Sequence, residues 1–210
     1  MRKAILVILT ALGWLTLIVR LYLRIVEATY SPLESAVQFF SYFTILTNLL
    51  VTIYCTGQLV NMGPYLNPRL QKPETLTALT AFILVVGIVY HIALKPIWDP
   101  KGLSMILSEI HHTIVPVGTL VLWILSTKKS IVDLKSLLKW VFYPIGYITF
   151  VLIRGFFSNF YPYPFLDVQT LGFQKVVLNS LFLLSLIIVL LLVFYYIGKM
   201  VSKKSVANNV

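Results

Sequence analysis

The fold is decided by long apolar stretches such as residues 176–199, which read VVLNSLFLLSLIIVLLLVFYYIGK. A helix needs about 20 mostly apolar residues to cross the hydrocarbon core of a membrane. The predicted spans of this length cover residues 4–26, 36–60, 76–95, 103–126, 137–157 and 176–199. Because 59% of the 210 residues are hydrophobic and only 11% are charged, a soluble domain is excluded. The sequence predicts an all-α, polytopic integral membrane protein in which residues 1–210 form a single membrane domain.

The charged residues predict how the chain is oriented. With six spans both termini lie on one side, and the segments on that side hold most of the lysines, including the pairs Lys128-Lys129 and Lys203-Lys204. The positive-inside rule then places both termini in the cytoplasm. This bias explains the net charge of +10 without a nucleic-acid partner, and the basic pairs are expected to meet anionic lipid headgroups. The first apolar run has no small-residue cleavage site, so we interpret it as a retained span rather than a signal peptide.

Two adjacent histidines, His111 and His112, stand beside Glu109 inside the fourth predicted span. Ionisable groups are costly in hydrocarbon, so within spans they usually face a protein interior or a water-filled cavity and mark a functional site. Consecutive residues of a helix point about 100° apart, so the two imidazoles cannot serve one partner in the same way. The pair therefore predicts a buried polar site to which at least one histidine contributes.

A polar stripe on the second predicted span gives this site a partner. Ser41, Thr44, Asn48 and Thr52 are spaced so that they share one face of a continuous helix. Such residues also bond neighbouring helices without any catalytic role, and the spacing leaves both interpretations open. Thr44 and His111 each lie about eight residues into their spans, which at 1.5 Å per residue is roughly 12 Å below the outer boundary. The inner halves of the spans are less polar, which favours one cavity open to the outer leaflet over a continuous pore.

Three segments in this order resemble landmarks of the androgen-induced gene one family, which includes the androgen-dependent tissue-factor-pathway-inhibitor-regulating protein and bacterial relatives. They are Phe40-Ser41-Tyr42-Phe43-Thr44, His111 five residues before Pro116, and Tyr163-Pro164-Phe165-Leu166-Asp167. Together with the six-span layout, the resemblance covers nearly the whole chain. It implies an intramembrane threonine hydrolase of fatty-acid esters of hydroxy fatty acids, with Thr44 as nucleophile and His111 as base. It also implies a bacterial cytoplasmic membrane protein. His112 is the neighbouring candidate, and Thr47 and Asn48 depart from the family pattern.

The chemistry of a lipid-ester hydrolase suggests roles for further residues. A threonine hydroxyl needs a base within hydrogen-bond reach, and a neutral imidazole suits that task. Attack on an ester creates an oxyanion, for which Asn48, one turn from Thr44, is the first candidate donor. Arg154 or Arg24 is expected to hold a lipid carboxylate or phosphate, although Arg154 is equally compatible with an interfacial anchor. Glu109 or Asp167 is a candidate for orienting an imidazole, and for Asp167 the cap of a loop segment is the simpler interpretation.

Other functions are compatible with the same residues. A proton-coupled transporter would use His91, His111 and Glu109 as a relay, although these residues cluster in the outer half of the predicted spans. A haem protein would use His91 with His111 or His112 as axial ligands. A membrane scaffold leaves the buried histidines unexplained. The single Cys55 excludes an intrachain disulfide and fits no metal-binding spacing, so we expect no cofactor. The expected partners are membrane lipids and a lipid ester, and the sequence leaves the oligomeric state undetermined.

Overall fold

A computed structural model of the chain describes residues 1–60, 72–126 and 131–207, with the side chains of 202–207 left out. About 84% of the described residues are helical and none of them lies in a strand, which confirms the predicted all-α class. Within the described residues five helices are long and apolar enough to cross a membrane, and the bent pair Pro32–Phe39 and Phe43–Leu59 makes six if it counts as one span. The five are Arg2–Val26, Pro73–Leu94, Gly102–Ile124, Leu134–Ser158 and Phe173–Val201. The basic pair Lys128-Lys129 and the side chains of Lys203-Lys204, which entered the orientation argument, lie outside the described residues.

The second predicted span is two helices rather than the continuous helix expected over residues 36–60. Helix α1 is Arg2–Val26, α2 is Pro32–Phe39 and α3 is Phe43–Leu59, and α2 and α3 meet at an angle of 77°. Neither Gly nor Pro causes the break. Instead, two tyrosine hydroxyls from distant segments accept the N–H groups that a continuous helix would have used: Tyr147 accepts from Phe43 at 3.2 Å and Tyr163 accepts from Thr44 at 3.1 Å. These bonds satisfy the orphan donors of a helix start in a buried place.

The break corrects the predicted polar stripe. Ser41 lies between the two helices, its hydroxyl donates to the Val37 carbonyl at 2.7 Å, and its own carbonyl accepts from Tyr147 at 3.0 Å. Thr44, Asn48 and Thr52 remain on α3 and are buried. The stripe therefore begins at Thr44, and Thr44 occupies the first turn of a helix rather than the middle of one.

Helix α4, Pro73–Val89, is the centre of the bundle. It contacts α3, the helix α6 (Val115–Ile124) and the last helix α10 (Phe173–Ala207), and its side chains are buried on nearly every side. Helix α1 packs closely along α3: at their contact, a Cβ on Gly13 would lie only 2.1 Å from the Thr52 hydroxyl oxygen. The absence of a side chain at Gly13 thus sets how near the two backbones come.

The fourth predicted span contains a turn of π-helix. Helix α5, Gly102–Glu109, passes into a π segment at Ile110–Ile114 and then into α6. Pro116 has no N–H, so it cannot bond the carbonyl of His112 four residues earlier, and the irregular turn lies directly before it. The freed carbonyl faces α4, where a Cβ at Gly87 would lie 2.9 Å from it. A second π segment, Tyr90–Leu94, continues α4 beside it.

The segment before the last helix folds back over the bundle. After the short helix α7 (Leu134–Leu138), α8 runs from Phe142 to Ser158 and ends at Asn159 with a left-handed φ of 55°. The short helix α9, Val168–Leu171, precedes α10. Between α8 and α9, Tyr161 packs so closely on Gly155 that a Cβ there would lie 2.1 Å from its ring. This loop brings Tyr163, 8% exposed, onto the start of α3.

Candidate active site

The Thr44 hydroxyl lies where three segments meet. Thr44 is the second residue of α3, and its Oγ lies 3.1 Å from the Tyr163 hydroxyl oxygen and 3.4 Å from Nε2 of His112. Since the Tyr163 oxygen already accepts the Thr44 N–H, it can donate its own proton to the Thr44 Oγ. The Thr44 hydroxyl proton is then free to point at the imidazole. The distance to Nε2 is long for an O–H···N bond and is typical of a catalytic pair without substrate.

The His112 ring is held in one orientation and one tautomer. Its Nδ1 lies 2.8 Å from the Ser108 carbonyl oxygen, which can only accept a hydrogen bond. In the neutral imidazole the proton therefore resides on Nδ1, and the lone pair of Nε2 faces Thr44. The ring stacks on Tyr90 with centroids 3.9 Å apart and an interplanar angle of 11°. Stacking and the Ser108 bond together fix the imidazole as a hydrogen-bond acceptor for the Thr44 hydroxyl.

His112, rather than His111, is the histidine that contacts Thr44, which corrects the pairing expected from the spacing to Pro116. His111 is fully buried and its Nε2 lies 2.9 Å from the Thr16 hydroxyl of α1. That hydroxyl donates to the Leu12 carbonyl at 2.7 Å, so it accepts from His111 and leaves Nδ1 of His111 unprotonated. Within the described part of the chain this Nδ1 has no partner. Adjacent residues diverge around the helix, so the two imidazoles meet different neighbours: His112 faces Thr44 of α3 and His111 faces Thr16 of α1.

Asn48 does not have the expected role of oxyanion donor. Its side-chain amide donates to the Thr44 carbonyl at 2.8 Å and to the His111 carbonyl at 3.3 Å, which uses both N–H protons. The residue is fully buried and does not border the cavity beside Thr44. Asn48 therefore ties α3 to the π segment that holds the histidines. The donor that touches Thr44 is Tyr163, which belongs to one of the landmark segments but whose role was not predicted.

Burial raises the pKa of Tyr163 to about 12, against a smaller opposing effect of its hydrogen bond with Thr44. The Tyr163 hydroxyl thus keeps its proton throughout the neutral range. It can stabilise negative charge on or near the Thr44 oxygen by donating a hydrogen bond. The first turn of α3 adds the positive end of a helix dipole at the same place. These are the charge-stabilising groups that the structure offers in place of Asn48.

The remaining predicted site residues lie away from Thr44. Arg154 pairs with Glu34 at 2.5 Å and packs over the Phe160 ring, so its positive charge already has a counter-ion, although its Nη1 has no hydrogen-bond partner among the described residues. Asp167 caps α9 by accepting from the N–H groups of Gln169 and Thr170, and the hydroxyl of Thr170 is the main cause that lowers the pKa of this carboxyl. The simpler interpretation of Asp167, a loop cap, is the one the structure bears out.

Glu109 and His91 form a separate network at the surface. Glu109 pairs with Lys95 at 2.8 Å and accepts from Thr113 at 2.7 Å, while His91 contacts the same Thr113 hydroxyl at 2.9 Å. No hydrogen bond among the described residues joins this network to His111 or His112. Glu109 therefore does not orient either imidazole, and the relay expected for a transporter is not continuous. Nor do three or more His, Cys, Asp or Glu side chains of the described residues cluster so that they could hold a metal ion.

A cavity of about 490 Å³ opens beside the Thr44–His112 pair. Its polar wall includes Arg20 and Arg24 of α1, both histidines and Tyr163, and its apolar wall includes Phe39, Ile45, Ile97, Trp98 and Leu107. A much smaller apolar pocket of about 50 Å³ borders Thr44 and Tyr163 from the side of α8 and α10. Thr44 thus lies between a large, partly cationic cavity and a narrow apolar one. Comparison with protein-family models, with curated proteins and with solved structures finds no match for this chain.

Proposed function

We propose that the protein is a membrane-embedded hydrolase of lipid esters, with Thr44 as nucleophile and His112 as general base. The observation that carries the proposal is the hydroxyl–imidazole pair, because the Ser108 carbonyl directs the lone pair of His112 Nε2 at the Thr44 oxygen. The pair borders a cavity of the size that small ligands occupy. The ordered landmark segments that resemble a family of intramembrane threonine hydrolases support the same chemistry.

The reaction would proceed in two halves. The Thr44 Oγ attacks the ester carbonyl carbon as its proton passes to Nε2 of His112, and Tyr163 donates to the developing negative charge. The intermediate collapses as His112 returns the proton to the departing alkoxide, which leaves as an alcohol, while the acyl group stays on Thr44. Water then attacks the acyl carbon with His112 as base, releasing the fatty acid and restoring the Thr44 hydroxyl.

In this proposal both termini lie in the cytoplasm, as the distribution of Lys and Arg predicts, and the cavity opens toward the outer leaflet of a bacterial cytoplasmic membrane. A lipid ester would reach Thr44 sideways from the leaflet. The exposed apolar side chains along α8 and α10 are those expected of helices that face lipid.

The test is covalent labelling of the purified, full-length protein by a fluorophosphonate probe, together with hydrolysis of a fluorogenic fatty-acyl ester. We expect Thr44→Ala and His112→Ala to lose labelling, with ester turnover reduced at least about 100-fold, the range in which positioned acid–base groups act. His111→Ala is expected to lose less labelling and less turnover, because the His111 imidazole contacts the Thr16 hydroxyl rather than that of Thr44. Labelling that survives both Thr44→Ala and His112→Ala refutes the proposal.

Thr80→Ala is the matched control for Thr44→Ala. Thr80 is also buried, at 0% exposed against 7% for Thr44, but among the described residues its hydroxyl bonds only the Leu76 carbonyl of its own helix, at 2.7 Å. Its removal should leave labelling and turnover unchanged. Thermal unfolding in detergent separates loss of the folded protein from loss of chemistry, and each variant is compared at equal folded fraction.

A further inference from the structure

We propose that Arg20 and Arg24 form an anion subsite in the cavity, which takes the carboxylate or phosphate group of an amphiphilic lipid whose ester lies at Thr44. This inference names the substrate class of the proposed hydrolase and, in that sense, rests on it. The subsite itself is a binding property and can be tested without turnover.

The two arginines share one face of α1. Residues four apart lie one turn above each other, and both side chains border the same cavity. Their hydrogen-bond acceptors are neutral: Arg20 donates to the Ser108 hydroxyl at 2.5 Å and to the Ser104 carbonyl at 3.4 Å, and Arg24 donates to the Gln38 side-chain oxygen. Each therefore uses one terminal nitrogen of its guanidinium for protein contacts.

Neither guanidinium has a counter-ion. Among the described residues neither forms an ion pair, and the Nε atom of each is buried without a hydrogen-bond partner. Arg154, by contrast, is paired with Glu34. Partly buried charges without partners are costly, and a bound anion would offset that cost. Guanidinium groups present planar, paired N–H donors that match carboxylate and phosphate oxygens.

The subsite adjoins the proposed reacting groups through Ser108. The Ser108 hydroxyl accepts from Arg20, while the Ser108 carbonyl accepts from Nδ1 of His112. Ser108 alone would thus separate an anion bound to Arg20 from the imidazole that faces Thr44. Glu27 also lines the cavity and offsets part of the positive charge, but it forms no ion pair with either arginine among the described residues, and the two arginines outnumber it. Apolar side chains that line the same cavity, including Trp98, suit the hydrocarbon part of the same molecule.

Binding to the full-length Thr44→Ala protein in neutral detergent tests the subsite without ester cleavage. The probes are hexadecanoate, hexadecyl phosphate, phosphatidylglycerol and uncharged hexadecanol, and the readout is displacement of a spin-labelled fatty acid that quenches tryptophan fluorescence. We expect at least one anionic probe to bind about 10-fold or more tightly than the alcohol. Arg20→Gln and Arg24→Gln should each remove most of that preference and leave hexadecanol binding unchanged.

Lys101→Gln is the control for loss of one positive charge near the cavity, because Lys101 and its partner Asp99 are both about 80% exposed and do not border it. It should leave the preference unchanged. If Arg20→Gln fails to fold, Arg24→Gln still decides the question. Among the described residues the Arg24 guanidinium donates to the Gln38 side-chain oxygen alone, and Gln38 keeps its own hydrogen bond to Glu34 in this variant.

The probes also identify the anion. Arginine-dependent binding of hexadecanoate points to a free carboxylate, and arginine-dependent binding of phosphatidylglycerol alone points to a lipid headgroup phosphate. Anions that bind no more tightly than hexadecanol, or a preference that survives both arginine variants, overturn the subsite. Arginine-dependent binding in a protein that cleaves no ester would retain the subsite and refute the hydrolase, so the two failures are distinguishable.

Discussion

Substitution of Tyr163 by Phe removes one oxygen atom from the proposed site and leaves the ring packing in place. That oxygen accepts the Thr44 N–H and contacts the Thr44 Oγ, both at 3.1 Å. The lost bonds and the buried, unpaired Thr44 N–H should lower the free energy of unfolding by about 1–3 kcal/mol. The Thr44 hydroxyl, which is the proposed nucleophile, would shift or lose a hydrogen-bond donor that stabilises its charge. A loss of about 1.4 kcal/mol in the transition state corresponds to about a 10-fold slower reaction.

Tyr147→Phe is the matched variant. The Tyr147 hydroxyl accepts the neighbouring N–H, that of Phe43, at 3.2 Å and donates to the Ser41 carbonyl at 3.0 Å, but it does not contact the Thr44 hydroxyl. We expect both variants to lower the unfolding midpoint by a similar amount. Only Tyr163→Phe should slow fluorophosphonate labelling and ester turnover by about 10-fold at equal folded fraction.

Two outcomes of this comparison would refute the proposed role of the Tyr163 hydroxyl. Equal loss of rate in both variants would mean that the tyrosines act only by holding the break between α2 and α3. A Tyr163→Phe protein that labels at the wild-type rate would mean that its hydroxyl does not act on Thr44 at all. Thermal unfolding and labelling measured on the same preparations provide both readouts.

Three further predictions concern stability and positioning. Burial raises the pKa of Tyr163 from its ordinary value of 10.0 to about 12, so its contribution to stability should be complete below pH 10 and lost between pH 10 and 12. In thermal unfolding scans the difference in midpoint between wild type and Tyr163→Phe should therefore narrow as the pH rises through this range. Asn48→Ala should lower the free energy of unfolding by about 1–3 kcal/mol, because two hydrogen bonds of its amide are lost. It should slow fluorophosphonate labelling less than Tyr163→Phe does. A labelling rate reduced about 100-fold or more would instead support Asn48 as the oxyanion donor. Gly13→Ala should lower the unfolding midpoint, at a cost of about 1–3 kcal/mol, because its Cβ would lie 2.1 Å from the Thr52 hydroxyl oxygen. Gly146→Ala is the control and should leave the midpoint unchanged, because a Cβ there meets open space. Equal midpoints for the two variants would show that α1 is not held against α3 as described.

The elements of this fold were readable from composition and length. Long runs of apolar residues predict spanning helices in any context, because the backbone must satisfy its own hydrogen bonds in hydrocarbon. The identity of Thr44 as a buried polar residue near the histidines was also readable. What failed was the assumption that residues 36–60 form one regular helix, since no Gly or Pro marks the break.

The sequence alone therefore determined an all-α chain with about six apolar helices, and it located a polar site on the second and fourth of them. Only the tertiary structure decided which histidine faces Thr44, that Asn48 bonds backbone carbonyls, and that Tyr163 contacts the nucleophile candidate. The reason is physical. Helix periodicity assigns directions only while the helix is regular, and here tyrosines from α8 and the following loop stabilise a break before Thr44, while Pro116 interrupts regularity beside the histidines.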